Sequence, residues 1–165
     1  MFTMKHLERV IPELKGYTKE RVYSFAKNRL SYKLSLMSSK HRGTCIESMI
    51  RDEYIIRGHR VEYFSGNCCF DMRVDGRRIE VKSSLAQPYY SVRTGKISCR
   101  YNFQNIKTEC FDCLILVFVH PEQGLILRKL GKKSVDTYIS NGMYREGQSI
   151  SITSHLHRMP GVTFA

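Results

Sequence analysis

Apolar and polar residues alternate along Phe70-Asp71-Met72-Arg73-Val74, break at Asp75-Gly76, and alternate again along Arg78-Ile79-Glu80-Val81-Lys82. A period of two predicts a pair of strands, and Asp-Gly is favoured in the type I′ turn of a two-residue hairpin. In that register Val74 faces Arg77, Met72 faces Ile79 and Asp71 faces Glu80. Phe70, Met72, Val74, Ile79 and Val81 then line one apolar face, while Asp71, Arg73, Arg78, Glu80 and Lys82 line the other. Upstream, Ile46, Met49, Ile50 and Tyr54 recur at helical spacing, predicting a helix from about Thr44 to Arg57 with Gly58 as its stop. Downstream, Phe111 to Val119 is a short apolar run rich in branched and aromatic residues, as in a buried strand. Gly124 to Arg128 reads as a neighbouring strand, Lys133 to Ser140 as a helix ending near Asn141-Gly142, and Gln148 to Thr153 as a last alternating strand. Near the start, Thr18 to Met37 has Val22, Phe25, Ala26, Leu30, Leu34 and Met37 on one helical face. Pro12 kinks or divides the stretch before it.

A chain of 165 residues is expected to form one domain and to bury about two-thirds of its unfolded surface. It has no apolar run near the ~20 residues that span a bilayer and no signal-peptide pattern at its start, so an intracellular, cytoplasmic protein is expected without membrane contact. The six cysteines give no clear bridge or zinc pattern. Cys68 and Cys69 are adjacent, and Cys110-x-x-Cys113 lacks a second pair at matching spacing. Reduced thiols serving as small core residues, and no zinc, are expected. His155-x-His157 is too isolated to indicate a metal.

Charge changes the picture. The formal net charge is +12, and the first 42 residues hold ten Lys or Arg against three Glu, with Lys19, Lys27 and Lys33 off the apolar helical face. An excess this large usually marks a polyanionic partner. Basic residues continue as Arg73, Arg77, Arg78, Arg93, Lys96 and Arg100, interleaved with Tyr89-Tyr90 and Tyr101-Asn102-Phe103-Gln104. Pro88 and Thr94-Gly95 predict a loop or hairpin over Ala86 to Arg100, where phosphate and base contacts are commonly mounted.

The candidate chemistry lies on the polar face of the central hairpin. Directly opposed residues have Cβ atoms roughly 5 Å apart, so Asp71 and Glu80 repel unless a cation lies between them. Lys82 follows on the same face. A divalent-metal site with an adjacent ammonium group accounts for this set, and so does an ordinary solvated hairpin face. Arg78 is equally open, as a phosphate contact or a solvated flank. Glu47 either closes a capping box with Thr44 or supplies a third carboxylate.

A helix carrying Glu47, followed by Asp71 and then Glu80-x-Lys82 with Ser83-Ser84, resembles the PD-(D/E)XK nuclease superfamily over roughly Lys40 to Tyr138. Phe70 stands where the motif has proline. The resemblance implies an α/β fold with a restriction-endonuclease-like core, a mixed β-sheet with flanking helices in the order αβββαβ. Residues 1–42 would form a basic helical extension and 43–165 the core. It also implies a Mg²⁺-dependent DNA endonuclease of restriction, homing or phage type, with Mn²⁺ substituting, that leaves 5′-phosphate and 3′-hydroxyl ends. A Holliday junction resolvase is the alternative role, and a DNA-binding protein without catalysis a second one. Asp71, Glu80 and the Val81 carbonyl would ligate the metal, Lys82 would orient the attacking water, and Glu47 would hold metal-bound water or a second ion. Arg78, Ser83, Ser84, Tyr89, Tyr90, Arg93, Lys96, Arg100, Asn102, Gln104, Lys19, Lys27 and Lys33 would contact DNA, duplex or branched. Symmetric cleavage needs two active sites, so a homodimer or higher symmetric oligomer is expected.

Overall fold

The central hairpin forms in the register the alternation predicts, with Met72 opposite Ile79 and Val74 opposite Arg77. Asp75 and Gly76 both have positive φ, 48° and 82°, as a type I′ turn requires. The Asp75 carboxylate steadies the turn by accepting the Arg60 amide at 3.0 Å and pairing with His59 Nδ1 at 2.6 Å. The structure, a computed structural model, describes residues 29–64, 68–93, 95–120, 124–140 and 150–154.

Residues 29–36 are helical, and the chain restarts as helix α1 (Ser39–Ile56). The Ser38 hydroxyl caps α1 by accepting the His41 amide at 3.3 Å. This start lies upstream of the expected Thr44, because Ser38, not Thr44, supplies the capping oxygen. Thr44 is inside the helix and donates its hydroxyl to the Lys40 carbonyl at 3.2 Å, so the capping-box reading of Glu47 falls.

The stop at Gly58 is as expected. The Gly58 amide donates to the Ile55 carbonyl and the His59 amide to the Tyr54 carbonyl, both at 3.0 Å, which is a Schellman closure. It needs the left-handed φ of 83° that Gly58 adopts. An added Cβ there meets nothing within 4 Å, so the penalty of substitution is conformational alone. Gly58→Ala is expected to lower stability by about 1 kcal/mol in a denaturant titration.

Strands β1 (Val61–Tyr63), β2 (Met72–Val74) and β3 (Arg77–Leu85) form an antiparallel meander. The chain then makes a second hairpin, β4 (Gln87–Ser91) and β5 (Lys96–Phe103), before β6 (Cys113–His120) returns parallel to β3. β7 (Gly124–Gly131) pairs antiparallel with β6, followed by helix α2 (Lys132–Ser140) and β8 (Ile150–Ser154). The five-stranded sheet therefore runs β1-β2-β3-β6-β7, and β4-β5-β8 form a smaller sheet. Pro88, which has no amide to donate, sits in β4 at the edge of that smaller sheet.

This is the mixed sheet with flanking helices that the sequence predicts. Two details of the αβββαβ order differ. The crossover from β3 to β6 carries the β4–β5 hairpin in place of a helix, and the helix follows β7, where the sequence reading puts it at Lys133 to Ser140. The last strand joins β5 rather than the large sheet, with Arg100 opposite Thr153 and Asn102 opposite Ser151.

The seven buried residues Cys113–Val119 of β6 explain the layering. Odd positions Cys113, Ile115, Val117 and Val119 pack with Leu30, Leu34, Ile46, Met49 and Ile50 on the helical side, together with Met72, Val74, Ile79 and Val81. Even positions Leu114, Leu116 and Phe118 pack with Tyr101, Phe103, Ile106, Phe111, Leu130 and Val135 on the other. A strand covered on both faces loses its alternation and reads as one apolar run. Leu30 and Leu34 are buried as expected and Met37 packs against the same cluster. The remainder of the proposed basic extension (Pro12, Lys19 and Lys27 included), Asn141-Gly142, Gln148, Ser149, His155 and His157 lie outside the described residues. No helix among the described residues is long and apolar enough to cross a membrane. Cys110 and Cys113 are buried, but Cys68 and Cys69 are exposed and are not core residues.

Candidate functional site

At the open end of the central hairpin, β2 stops and the ladder slips. The Asp71 amide donates to the Ile79 carbonyl at 3.0 Å, one step out of the register that pairs Met72 with Ile79. The Asp71 carbonyl in turn accepts the Phe64 amide at 3.1 Å. Slippage of this kind re-aims a side chain. Here it sends the Asp71 carboxylate to the edge of β3, where Oδ2 accepts the Val81 amide at 2.7 Å. In an extended strand the N–H and C=O of one residue point to the same edge. The Val81 carbonyl therefore lies on the edge that β2 has left.

Glu80 and Lys82 project from the opposite face of β3 to Ile79 and Val81. The Glu80 carboxylate and the Lys82 ammonium form a direct ion pair. In the parallel register Glu80 stands beside Leu114 and Lys82 beside Leu116, both fully buried. Those leucines remove water from one flank of the pair, and only 8% of the Glu80 side chain remains exposed.

Glu47 lies within electrostatic reach of Asp71 and Lys82. Burial, then the charge of Asp71, push Glu47 up to about 7, with Lys82 opposing. Glu80 is likewise pushed up to about 7 by burial, then by Asp71 and Glu47, against the pull of Lys82. Burial also raises Asp71, opposed by the Val81 amide, Lys82 and a hydrogen bond with Glu80. Three carboxylates and one ammonium thus feel one another directly, and the acids retain protons to unusually high pH.

The donor set suits a hard divalent cation. Two carboxylates repel in its absence, a backbone carbonyl faces the same edge, and burial sharpens both effects. Among the described residues no three His, Cys, Asp or Glu side chains are arranged to ligate an ion by themselves. A cation at this place would take Asp71, Glu80, the Val81 carbonyl and water, with Glu47 set further back.

The other candidate residues divide. Arg78 is committed to Asp112: Nη2 reaches Oδ1 at 2.7 Å, and the Arg78 amide and Nε reach Oδ2 at 2.9 and 3.2 Å. That pair holds Asp112 down to about 2, through the Arg78 side-chain hydrogen bond first. Its geometry is that of a clamp between β3 and the start of β6, so Arg78 is neither a bare solvated flank nor an unpaired cation. Ser84 is buried and accepts the Asn102 amide at 2.8 Å, tying β5 to β3, so it too is structural. Ser83 and Lys33 are half-buried, and Arg93 and Gln104 are exposed. Lys96 pairs through its backbone with Ser91 at the end of the hairpin. Tyr89 carries the Arg100 guanidinium over its ring at 3.7 Å, while the exposed Tyr90 occupies the opposite face of β4.

The sequence reading did not find Asp112 or the slipped ladder at Asp71. An acid just before an apolar strand is a weak signal for the first. The second depends on Phe64, just past β1, taking the Asp71 carbonyl, a contact with no local sequence signature.

The fold is similar to that of a bacterial homing endonuclease, I-Ssp6803I, at 18% sequence identity and a TM-score of 0.46, over 75% of this chain and 84% of that one. No protein-family model matches the chain, and no curated protein matches it in sequence.

Proposed function

We propose that the chain is a Mg²⁺-dependent DNA endonuclease, with Mn²⁺ able to substitute, working on duplex DNA in a restriction or homing role. The observation that carries this reading is the convergence of Asp71 and Glu80, beside Lys82, on the edge of β3 that the slipped ladder leaves free. Asp71, Glu80 and the Val81 carbonyl would hold the cation. Once bound, it supplies neutralisation of the scissile phosphate and of its leaving oxygen.

The chain's own groups do the rest. The Val81 amide fixes Asp71 Oδ2, so the carboxylate keeps one orientation. The Lys82 ammonium orients the attacking water and opposes the negative charge that builds on the phosphate. Glu47, which titrates near neutrality, holds that water and accepts its proton. Leu114 and Leu116 keep bulk water off the flank. A homodimer would supply the second site that symmetric cleavage requires. The resemblance of Glu47, Asp71 and Glu80-x-Lys82 to the PD-(D/E)XK pattern agrees with these roles.

Incubation with plasmid, random single strands and a synthetic four-way junction in Mg²⁺ tests the proposal. Discrete cuts in duplex are the expected result. Symmetric nicks confined to the crossover would replace this role with junction resolution, and binding without cleavage of any substrate would overturn the catalytic assignment.

Glu47 has its own test. With the capping role removed by the fold, Glu47→Gln is expected to leave the melting temperature unchanged or raised, since it relieves carboxylate repulsion. The single-turnover rate should fall by roughly 10²-fold, the usual scale for a positioned base. An undiminished rate in the folded variant would exclude Glu47 from the chemistry.

A further inference from the structure

We propose that the outer face of the small sheet β4-β5-β8 reads base sequence in the major groove of duplex DNA, with Arg100 as its guanine-contacting side chain. This rests on the endonuclease reading and adds to it where and how sequence is recognised.

Alternation on β5 turns Tyr101 and Phe103 into the second apolar cluster, which leaves Arg100 and Asn102 on the other face. Across the strand pair Gln87 lies opposite Arg100, with Tyr89 two positions further along β4, so these side chains share that face. On the third strand the exposed Ser151 lies opposite Asn102. From Gln87 to Phe103 the sequence contains Arg93, Lys96 and Arg100 but no Asp or Glu. The surface is therefore complementary in charge to a polyanion, and it lacks aliphatic side chains that would suit an apolar partner.

Two pairs on this face are already ordered. The Arg100 guanidinium lies over the Tyr89 ring at 3.7 Å, and its Nε is buried without a hydrogen-bond acceptor. Asn102 Nδ2 donates to Gln87 Oε1 at 3.2 Å. Arginine forks match guanine O6 and N7, and Asn or Gln amides match adenine N6 and N7. Stacking fixes the plane of the guanidinium before contact, so less side-chain freedom is lost when it docks. A guanidinium fork also matches phosphate, but side-chain amides beside it add the donor–acceptor pattern of a base edge. A half-buried arginine pinned on an aromatic ring and flanked by two amides is built for an edge of defined geometry. A major groove about 12 Å wide admits a two-stranded β-ribbon, and Gln87, Tyr89, Arg100 and Asn102 all lie on the β4–β5 pair.

The face is anchored to the chemistry. The Asn102 amide hydrogen-bonds Ser84, two residues beyond Lys82 on β3. Whatever the sheet grips is therefore held at a fixed distance from Glu80 and Lys82.

The test is selection of bound sequences from a random duplex library, using full-length Glu80→Gln protein so that nothing is cut. The wild-type profile should contain a required guanine. Arg100→Gln should lower discrimination at that position by roughly 5- to 150-fold, and leave the others intact. Uniform weakening across all sequences would make Arg100 a phosphate contact and overturn the proposal while sparing the endonuclease reading. Binding to no duplex at all would overturn both. If Arg100→Gln lowers the melting temperature, the exposed Gln87→Ala decides: a relaxed neighbouring position supports the reading face, and an unchanged profile overturns it.

Discussion

Asp71→Ala and Glu80→Ala are each expected to lower single-turnover cleavage of duplex DNA in Mg²⁺ by about 10³-fold, and Lys82→Ala by roughly 10²- to 10³-fold, with the proteins still folded and still binding DNA. The first two remove hard oxygen donors, and no third acid among the described residues is placed to replace either as a ligand. The third removes the only cation among the described residues found to act on all three carboxylates. A preorganised charge of this kind is typically worth roughly 10²- to 10³-fold in rate. The stability effects should differ in sign. Loss of Glu80 relieves repulsion with Asp71 and Glu47, so the metal-free variant should melt at a higher temperature than the parent. Loss of Lys82 leaves Glu80 buried without its ion-pair partner, so that variant should melt lower near pH 8. Cleavage at the parental rate by Glu80→Ala would remove the metal assignment altogether.

The second large effect is a stability that falls as pH rises and that a divalent cation restores. Glu47 and Glu80 titrate near 7 in the fold against 4.5 for the free side chain. Between those values the folded state binds more protons than the unfolded one, so stability declines with rising pH across that window and levels off above it. Each carboxyl contributes on the order of 3 kcal/mol at most, and less in sum because they share their repulsion. Asp112 works in the opposite sense at low pH. Its depressed value of about 2 adds stability above pH 3.8 that is lost as pH falls toward 2. The metal-free protein should therefore be most stable between about pH 4 and 5. Mg²⁺ at a hundredfold excess over its dissociation constant should return about 2.7 kcal/mol near pH 8. Glu80→Gln should remove its own share of the upper limb, leaving that of Glu47, and abolish the Mg²⁺ effect. A melting temperature that is level from pH 5 to 8, with and without Mg²⁺, would show that the carboxylates do not interact as described.

The parts of the fold legible in the sequence are those set by local chemistry. Asp75-Gly76 defines a turn, alternation fixes the register around it, and the double burial of β6 appears as an uninterrupted apolar run. Part of the candidate site was legible for the same reason: Glu80 and Lys82 share a face whatever packs against it. What escaped depends on partners distant in the chain. Thr44 and Glu47 match a capping box by spacing, yet the helix begins where Ser38 offers its hydroxyl. The final alternating strand is right as a strand, but pairing with β5 instead of the large sheet is decided by the aromatic cluster under Tyr101 and Phe103. Arg78 looks like a free cation until Asp112, 34 positions later, is brought beside it.

The Arg78–Asp112 clamp also says something about the order in which the molecule can be assembled. Helix α1 through β3 is built from neighbours in the chain and can form by short-range contacts. The parallel docking of β6 on β3 must first close a loop of that 34-residue separation, an entropic step that makes non-local pairings late. Until it closes, Glu80 has no Leu114 beside it and Lys82 no Leu116. A chain still emerging from the ribosome therefore carries ordinary, fully hydrated acids at these positions. Their abnormal proton affinity arises only once the crossover is fastened, and the clamp that fastens it lies two residues from Glu80.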